Sequence, residues 1–159
     1  MSSAPADADA DAGRASLPPI HFIDSTLAAA PCPRARLLAL YFSAHWCGPC
    51  RGFTPKLRAF YQNTSREDVD IIFVSLDHSS QAFEDYYRGM PWLAADYDKT
   101  DREEIYNTLH VRGIPALVVF CPRTGRMASM DGRQDVLQNE NNPQACVEDW
   151  LQRSAMPNK

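Results

Sequence analysis

Residues 36–62 read RLLALYFSAHWCGPCRGFTPKLRAFYQ, an apolar run and an amphipathic segment joined by a pair of cysteines. Its first part, Arg36 to Ser43, is a near-continuous apolar run bounded by loop residues. Such a run fits a strand buried on both faces, inside a sheet covered by helices. Past Cys50 the period changes. Phe53, Leu57, Phe60 and Tyr61 recur at helical spacing and share one face. Pro55 falls inside that pattern and is expected to kink the helix. Between strand and helix stands Cys47-Gly48-Pro49-Cys50.

Upstream, Leu17 to Asp24 has a short apolar core behind two prolines and reads as an edge strand. Thr26 to Pro33, with prolines around Cys32, reads as a loop. Val69 to Leu76 is a second buried strand, rich in β-branched residues. Phe83, Tyr86, Tyr87 and Met90 mark a short helix ending at Gly89. Thr100-x-x-Glu103 has the form of a capping box, so a further helix starts near Asp101, ahead of Ile105 and Leu109. Leu117 to Phe120 is a third apolar strand. Pro122 to Gly125 turns into a polar edge strand near Arg126 to Met130. Asn142-Pro143 gives an N-cap with Pro at the first helical position, and Val147, Trp150 and Leu151 mark the apolar face of the last helix. Strand, helix, strand, helix, helix, strand, strand, helix implies parallel crossovers plus one hairpin. That is an α/β architecture with helices on both faces of the sheet.

The chain has 159 residues, which as a prior is one domain. Sixteen Lys and Arg against twenty Asp and Glu give a net charge of −4, which excludes the usual basic footprint of a nucleic-acid binder. No stretch approaches the roughly 20 apolar residues of a membrane span. Five cysteines are too few and too odd in number for a disulfide scaffold. Residues 1–16, with six Ala, three Asp and one Arg, lack the features of an export or mitochondrial signal and read as a disordered acidic tail. The folded domain is expected over residues 17–159 and the cytoplasm as its compartment. There a Cys pair is more often catalytic or metal-binding than structural.

Cys47 ends the strand-to-helix turn, where unpaired N–H groups and the positive end of the helix dipole favour a thiolate, so its pKa is expected to be lowered. The thiolate is the attacking species in thiol–disulfide exchange. Cys50, one helical turn further in, can attack the mixed disulfide. Trp46 offers a flat apolar surface, and Arg51 adds positive charge. His45, two residues before Cys47, can tune the thiolate through its charge. A zinc site would need two more ligands, and no second C-x-x-C or H-x₃₋₅-H exists. No metal is therefore expected, and redox exchange is the favoured reading over zinc or a structural bridge. Cys32, Cys121 and Cys146 read as packing or incidental residues.

WCGPC between a buried strand and a helix, with Ile114-Pro115 ahead of another strand, resembles the thioredoxin superfamily. Tyr41-Phe42-Ser43-Ala44, Arg51-Gly52-Phe53-Thr54-Pro55, Val74-Ser75-Leu76-Asp77 and Met90-Pro91-Trp92-Leu93-Ala94 resemble its tryparedoxin and nucleoredoxin branch. The resemblance implies a thioredoxin fold with a mixed central sheet. It implies Cys47 as the attacking cysteine and Cys50 as the resolving one, with Gly48 and Pro49 between them. Pro115 matches the family's cis-proline, which offers the Ile114 backbone to substrate. Trp46, Trp92 and Arg133 align with residues lining or flanking the substrate surface, although Trp92 reads more readily as core and Arg133 equally as a solvated surface charge.

The resemblance further implies dithiol–disulfide oxidoreduction without a metal or organic cofactor. The expected partners are disulfide-containing proteins such as peroxiredoxins, with a low-molecular-weight dithiol, trypanothione among them, or a reductase as donor. Neither nucleic acid nor membrane is expected, and the chain is expected to be monomeric. A second reading is a redox-sensitive binding module with little turnover. Three departures stand out. Gly48 replaces the branch's first active-site proline. Tyr41 stands where thioredoxins carry a buried acid, and a phenol of pKa about 10 is no proton acceptor near neutral pH. His78 replaces an acidic residue, which weakens attraction to a polyamine-bearing dithiol.

Overall fold

A computed structural model describes residues 17–155. The tail expected over residues 1–16 lies outside the described residues. In chain order the strands are β1 (Phe22–Ile23), β2 (Ala29–Ala30), β3 (Leu37–Ser43), β4 (Val69–Ser75), β5 (Leu93–Ala95), β6 (Ala116–Phe120) and β7 (Met127–Ser129). The helices are α1 (Gly48–Gln62), α2 (Ser80–Tyr87), α3 (Arg102–Thr108), α4 (Gly132–Gln138) and α5 (Pro143–Ala155). The strands form one mixed sheet in the order β2-β1-β5-β4-β3-β6-β7. β3 pairs in parallel with β4 and antiparallel with β6. The two βαβ crossovers thus run through α1 and α2, and β6–β7 is the expected hairpin.

Every residue of β3 is buried, as its apolar run required. Its period-two alternation feeds two cores. Leu37, Ala39 and Tyr41 face Phe53, Leu57 and Phe60 of α1, Phe83 and Tyr87 of α2, and Val147 and Trp150 of α5. Leu38, Leu40 and Phe42 face Ile105 of α3 and its following Leu109. Helices therefore cover both faces.

Several local expectations are corrected. The strand in Leu17–Asp24 shortens to β1 and is not an edge, because β2 pairs outside it within the stretch read as a loop. The Asp24 carboxylate makes that hairpin by accepting the N–H groups of Thr26 and Ala28. Thr100 is not the cap of α3. Its hydroxyl accepts the His21 N–H, and the Asp101 carboxylate caps the helix by accepting the Glu104 N–H. Pro55 lies inside the helix that runs from Gly48 to Gln62, where the sequence placed it. β5 and α4 were not foreseen. α4 begins on Gly132, where a Cβ would stand 2.8 Å from the Leu117 carbonyl oxygen, so only glycine lets this helix approach β6. At α5 the Asn142 side chain accepts the Ala145 N–H, the cap the sequence suggested.

Candidate active site

The site lies where β3 gives way to α1. Cys47 is the N-cap residue, in extended backbone, and its Sγ accepts the Cys50 N–H at 3.2 Å. One of the helix's orphan donors is thus aimed at the sulfur. Pro49 fits the first turn because the N–H it lacks would have had no helical partner. Both cysteines are free thiols. Cys47 retains 7% of its surface and Cys50 none. On the far side, the Ile114–Pro115 peptide is cis, and the Ile114 carbonyl oxygen lies 3.8 Å from Cys47 Sγ. Two segments distant in sequence therefore meet at one sulfur.

The turn carrying the site is tied to the end of β4. The Asp77 carboxylate is buried and accepts the His45 N–H at 2.9 Å and the Ser75 hydroxyl at 2.7 Å. The Trp46 indole N–H donates to the Leu76 carbonyl at 3.0 Å, and its ring stacks on His78. Trp46 stays 54% exposed beside the dithiol. The Arg51 guanidinium lies over Gly48, where an added Cβ would make only ordinary contact, so no steric demand fixes glycine there.

Behind Cys50 lies a cluster of hydroxyls. Tyr41 Oη is 2.7 Å from Thr54 Oγ1, Thr54 Oγ1 is 2.9 Å from Tyr86 Oη, and Tyr86 Oη is 2.8 Å from Ser43 Oγ. Thr54 donates to the Cys50 carbonyl at 2.9 Å, which leaves Tyr41, 3.3 Å from the same oxygen, as the donor to Thr54. Burial pushes the Cys50 thiol up to about 11, its hydrogen bond with Cys47 adds to the rise, and hydrogen bonds from the Ser43 hydroxyl and the Ala44 N–H oppose it. Burial also raises the Tyr41 phenol well above its ordinary value.

The structure brings Trp46, Cys47, Gly48, Pro49, Cys50, Ile114 and Pro115 together. Arg133 is exposed on the first turn of α4, and with Pro115 and Met130 it lines a cleft of about 300 Å³. Trp92 is 2% exposed and packs edge-on against Tyr41 and Tyr61, so its ring belongs to the core, the favoured of its two sequence readings. The His45 ring rests against Tyr86, and its backbone N–H is what engages Asp77. A larger cavity of about 900 Å³, lined by Arg34, Arg36, Cys121 and Arg123, opens at the other end of β3 and β6, remote from the dithiol. Burial raises the half-buried Cys121 thiol, but hydrogen bonds from Thr124 and Arg123 bring it below its ordinary value. Cys146 is buried, Cys32 exposed. Among the described residues no helix is long and apolar enough to cross a membrane, and no cluster of three His, Cys, Asp or Glu could hold a metal ion.

Sequence reading missed Ser43, Thr54 and Tyr86 as a group, and Asp77 as the anchor of the turn. Ser43 follows Tyr41 by two and Thr54 follows Cys50 by four, so strand and helix periods already put each pair on one side. Tyr86 was read only as part of an apolar helix face.

Comparison with known proteins places this geometry. A family described as thioredoxin-like matches residues 35–127. Tryparedoxin from Trypanosoma brucei brucei is 38% identical over 102 residues, which cover 63% of this chain and 71% of that protein. Mouse nucleoredoxin is 40% identical over 107 residues, 65% of this chain, but the chain spans only 24% of that longer protein. Among solved structures, tryparedoxin II complexed with glutathionylspermidine superposes with a TM-score of 0.72 at 30% identity, covering 80% of this chain and 89% of its own. A thioredoxin from Wuchereria bancrofti superposes with a TM-score of 0.70 at 32% identity, covering 86% and 97%. With a seven-stranded thioredoxin fold, a C-x-x-C at the start of α1 and a cis-proline facing it, the chain belongs to the thioredoxin-like family, with tryparedoxins and nucleoredoxins among its relatives.

Proposed function

We propose that the protein is a dithiol–disulfide oxidoreductase that reduces disulfides of other proteins through Cys47 and Cys50. The observation that carries this reading is the position of Cys47 Sγ, between the Cys50 N–H at the start of α1 and the Ile114 carbonyl. A helix start stabilises the thiolate needed for attack. A substrate chain lying along Ile114 would meet backbone groups of the cis-proline turn while its sulfur faces Cys47.

The Cys47 thiolate attacks one sulfur of the substrate disulfide. A Cys47–substrate bond forms, and the other substrate sulfur leaves as a thiolate and takes a proton. Cys50, as thiolate, then attacks Cys47 Sγ. The Cys47–Cys50 bond forms, the mixed disulfide breaks, and the second substrate sulfur leaves and is protonated. The substrate gains two electrons and the protein becomes a disulfide, which an external dithiol or a reductase returns to the thiols.

The chemistry belongs to the two sulfurs and draws on no metal or organic cofactor. The relatives named tryparedoxin support thiol peroxidases of the peroxiredoxin kind as targets and trypanothione as one donor to test. A reducing compartment, the cytoplasm, suits a dithiol working in this direction.

The test is trapping. Cys50→Ser is expected to accumulate mixed disulfides with substrate proteins that a reductant releases, and Cys47→Ser to accumulate none. Equal trapping by both variants overturns the assignment of Cys47. Turnover with insulin is then measured with trypanothione, glutathione or thioredoxin reductase as the donor system. A stable complex that forms without turnover, and that Cys50→Ser leaves unchanged, overturns the enzymatic reading in favour of a binding module.

A further inference from the structure

The end of β3 opposite the dithiol holds a second meeting of charge and thiol. A cavity of about 900 Å³ opens there between the loop before β3, the β6–β7 turn and the last turn of α5. β3 is seven residues long, so this cavity lies roughly 20 Å from Cys47 and is no part of the site already described. Arg34, Arg36, Arg123 and Arg126 line it, and no Asp or Glu does. In a chain of net charge −4, four of the sixteen basic residues thus meet at one hollow.

Arg34, Arg36 and Arg123 are exposed. Arg36 has only Asp68 near it, at 3.9 Å. Neither Arg34 nor Arg123 forms an ion pair among the described residues. The opposing charge in the lining is the C-terminal end of α5, at Ser154 and Ala155. A helix end carries about half a negative charge, against four full positive ones. The hollow therefore favours an anion.

Cys121 gives this cationic hollow a nucleophile. It follows β6, and strand alternation sets it on the side of Leu117 and Val119, the face that α5 covers. It is a free thiol, half-buried, and lines the cavity together with Leu151 of α5. Positive charge at close range favours the thiolate form. We propose that the cavity is a binding and modification site for an anionic low-molecular-weight disulfide, of the kind a carboxylate-bearing peptide thiol forms, and that Cys121 takes one half of it as a mixed disulfide. The Cys121 thiol gives its proton to solvent, and the thiolate attacks one sulfur of the bound disulfide. The bond from Cys121 to that sulfur forms and the ligand's S–S bond breaks. The other half leaves as a thiolate and takes up a proton. Cys121 is oxidised and the departing half reduced, so the step draws on no further oxidant.

This chemistry is separate from that of Cys47 and Cys50. At Cys47 an adduct has Cys50 beside it to release it. No second cysteine lines the hollow, so an adduct on Cys121 persists until an external thiol removes it. Cys32 stands just outside, before the lining Pro33, and its S–H donates to the Pro33 carbonyl at 3.5 Å. It is exposed and outside the lining, which makes it the comparison within the same molecule.

The experiment gives the full-length protein an excess of glutathione disulfide, which is anionic, or of 2-hydroxyethyl disulfide, which is neutral. Peptide mass mapping follows each cysteine separately over time. Relative to Cys32, Cys121 is expected to prefer the anionic disulfide about threefold or more at low salt, and to lose that preference as salt is added. Arg34→Gln combined with Arg123→Gln changes two exposed positions that the fold does not need. The pair should slow the glutathione reaction at Cys121 about threefold or more and lower the ratio of anionic to neutral rates. A mere loss of thiolate would slow both disulfides alike and leave the ratio unchanged. S-methylglutathione, an unreactive anion, should slow alkylation of Cys121 by neutral iodoacetamide in the native protein and not in the arginine variant. A ratio that salt and the substitutions leave unchanged overturns the proposal. So does glutathione on Cys32 with none on Cys121, or a Cys32–Cys121 disulfide in place of the adduct. Each of these outcomes leaves the Cys47–Cys50 reading to its own trapping test.

Discussion

The Asp77 carboxylate accepts the His45 N–H at 2.9 Å while its other oxygen accepts the Ser75 hydroxyl at 2.7 Å. One buried anion thereby joins the end of β4 to the turn that carries Cys47. The turn has little else holding it on that side. Trp46 adds one bond to Leu76, and Cys47 N–H donates to the Ala44 carbonyl within the turn itself. The position of the reactive sulfur relative to Ile114 thus depends on a residue that never touches it.

Asp77→Asn tests that dependence. The amide keeps one acceptor oxygen and replaces the other with a donor, so one of the two present donors loses its partner. A hydrogen bond to a buried charged group is worth about 2 kcal/mol, and stability should fall by that order. Turnover with insulin should fall alongside. Chemical denaturation and the coupled assay measure the two. Unchanged values in both would remove Asp77 as the anchor of the turn.

Trp46→Ala should act differently. The ring is more than half exposed, so little buried area is lost and the melting temperature should barely move. The flat surface beside Cys47 disappears, and KM for a protein disulfide should rise about tenfold, the equivalent of one aromatic contact of about 1.4 kcal/mol, with kcat nearly unchanged. A fall in kcat at constant KM would instead mean that Trp46 orients the turn through Leu76.

His78→Glu addresses the donor. His78 stacks on Trp46 at the edge of the site, so a carboxylate there would face whatever binds beside the indole. For a dithiol carrying a polyamine, kcat/KM should rise a few-fold at low salt and lose that gain as salt is added. Turnover of insulin by an uncharged dithiol should stay constant. An equal change with both donors would show that the substitution acts on the dithiol rather than on recognition.

Much of this was legible in the sequence because strong periodicities override local detail. The apolar runs at Arg36–Ser43 and Val69–Leu76 could only be buried strands, and Phe53, Leu57 and Phe60 could only be one face of a helix. The C-x-x-C announced the site. Short elements were not legible. β2 is two alanines stitched by an Asp24 turn, and β5 is three residues whose burial comes from their neighbours. α4 hid because its start depends on a close approach between Gly132 and Leu117, a contact that no local pattern encodes. Thr100 misled because tertiary bonding to His21 claimed its hydroxyl. The hydroxyl cluster was invisible for the same reason: its members come from β3, α1 and α2, and only packing makes them neighbours.

Gly132→Ala tests the close approach of α4. A Cβ would meet the Leu117 carbonyl oxygen at 2.8 Å, and the backbone of β6, paired here with β3, cannot yield cheaply. Overpacking of this kind costs about 1–3 kcal/mol, and the ordinary gain of Ala over Gly in a helix is too small to offset it. Denaturation midpoints should fall accordingly. A stabilised variant would mean that α4 shifts freely on the sheet.

The last expectation concerns alkali. Burial pushes the thiols of Cys50 and Cys146 up to about 11 and about 12, from an ordinary value of 9.0, with Asp135 and Asp149 adding to the rise at Cys146. The folded protein therefore holds these protons more tightly than the unfolded chain does. Above about pH 9 the unfolded thiols ionise first, so the unfolded state binds fewer protons and stability falls with pH. The contribution is whole below that point and is lost as pH rises through the folded values, at up to about 1.4 kcal/mol per pH unit for each thiol. Cys146→Ala separates the two groups. It should lower stability at every pH through lost packing, yet lose less than the native protein between neutrality and about pH 11. Oxidising Cys47 to Cys50 should remove the Cys50 share in the same way, since a disulfide does not titrate. If native, variant and oxidised protein all lose the same stability over that range, the slope belongs to other groups and these thiols do not govern it.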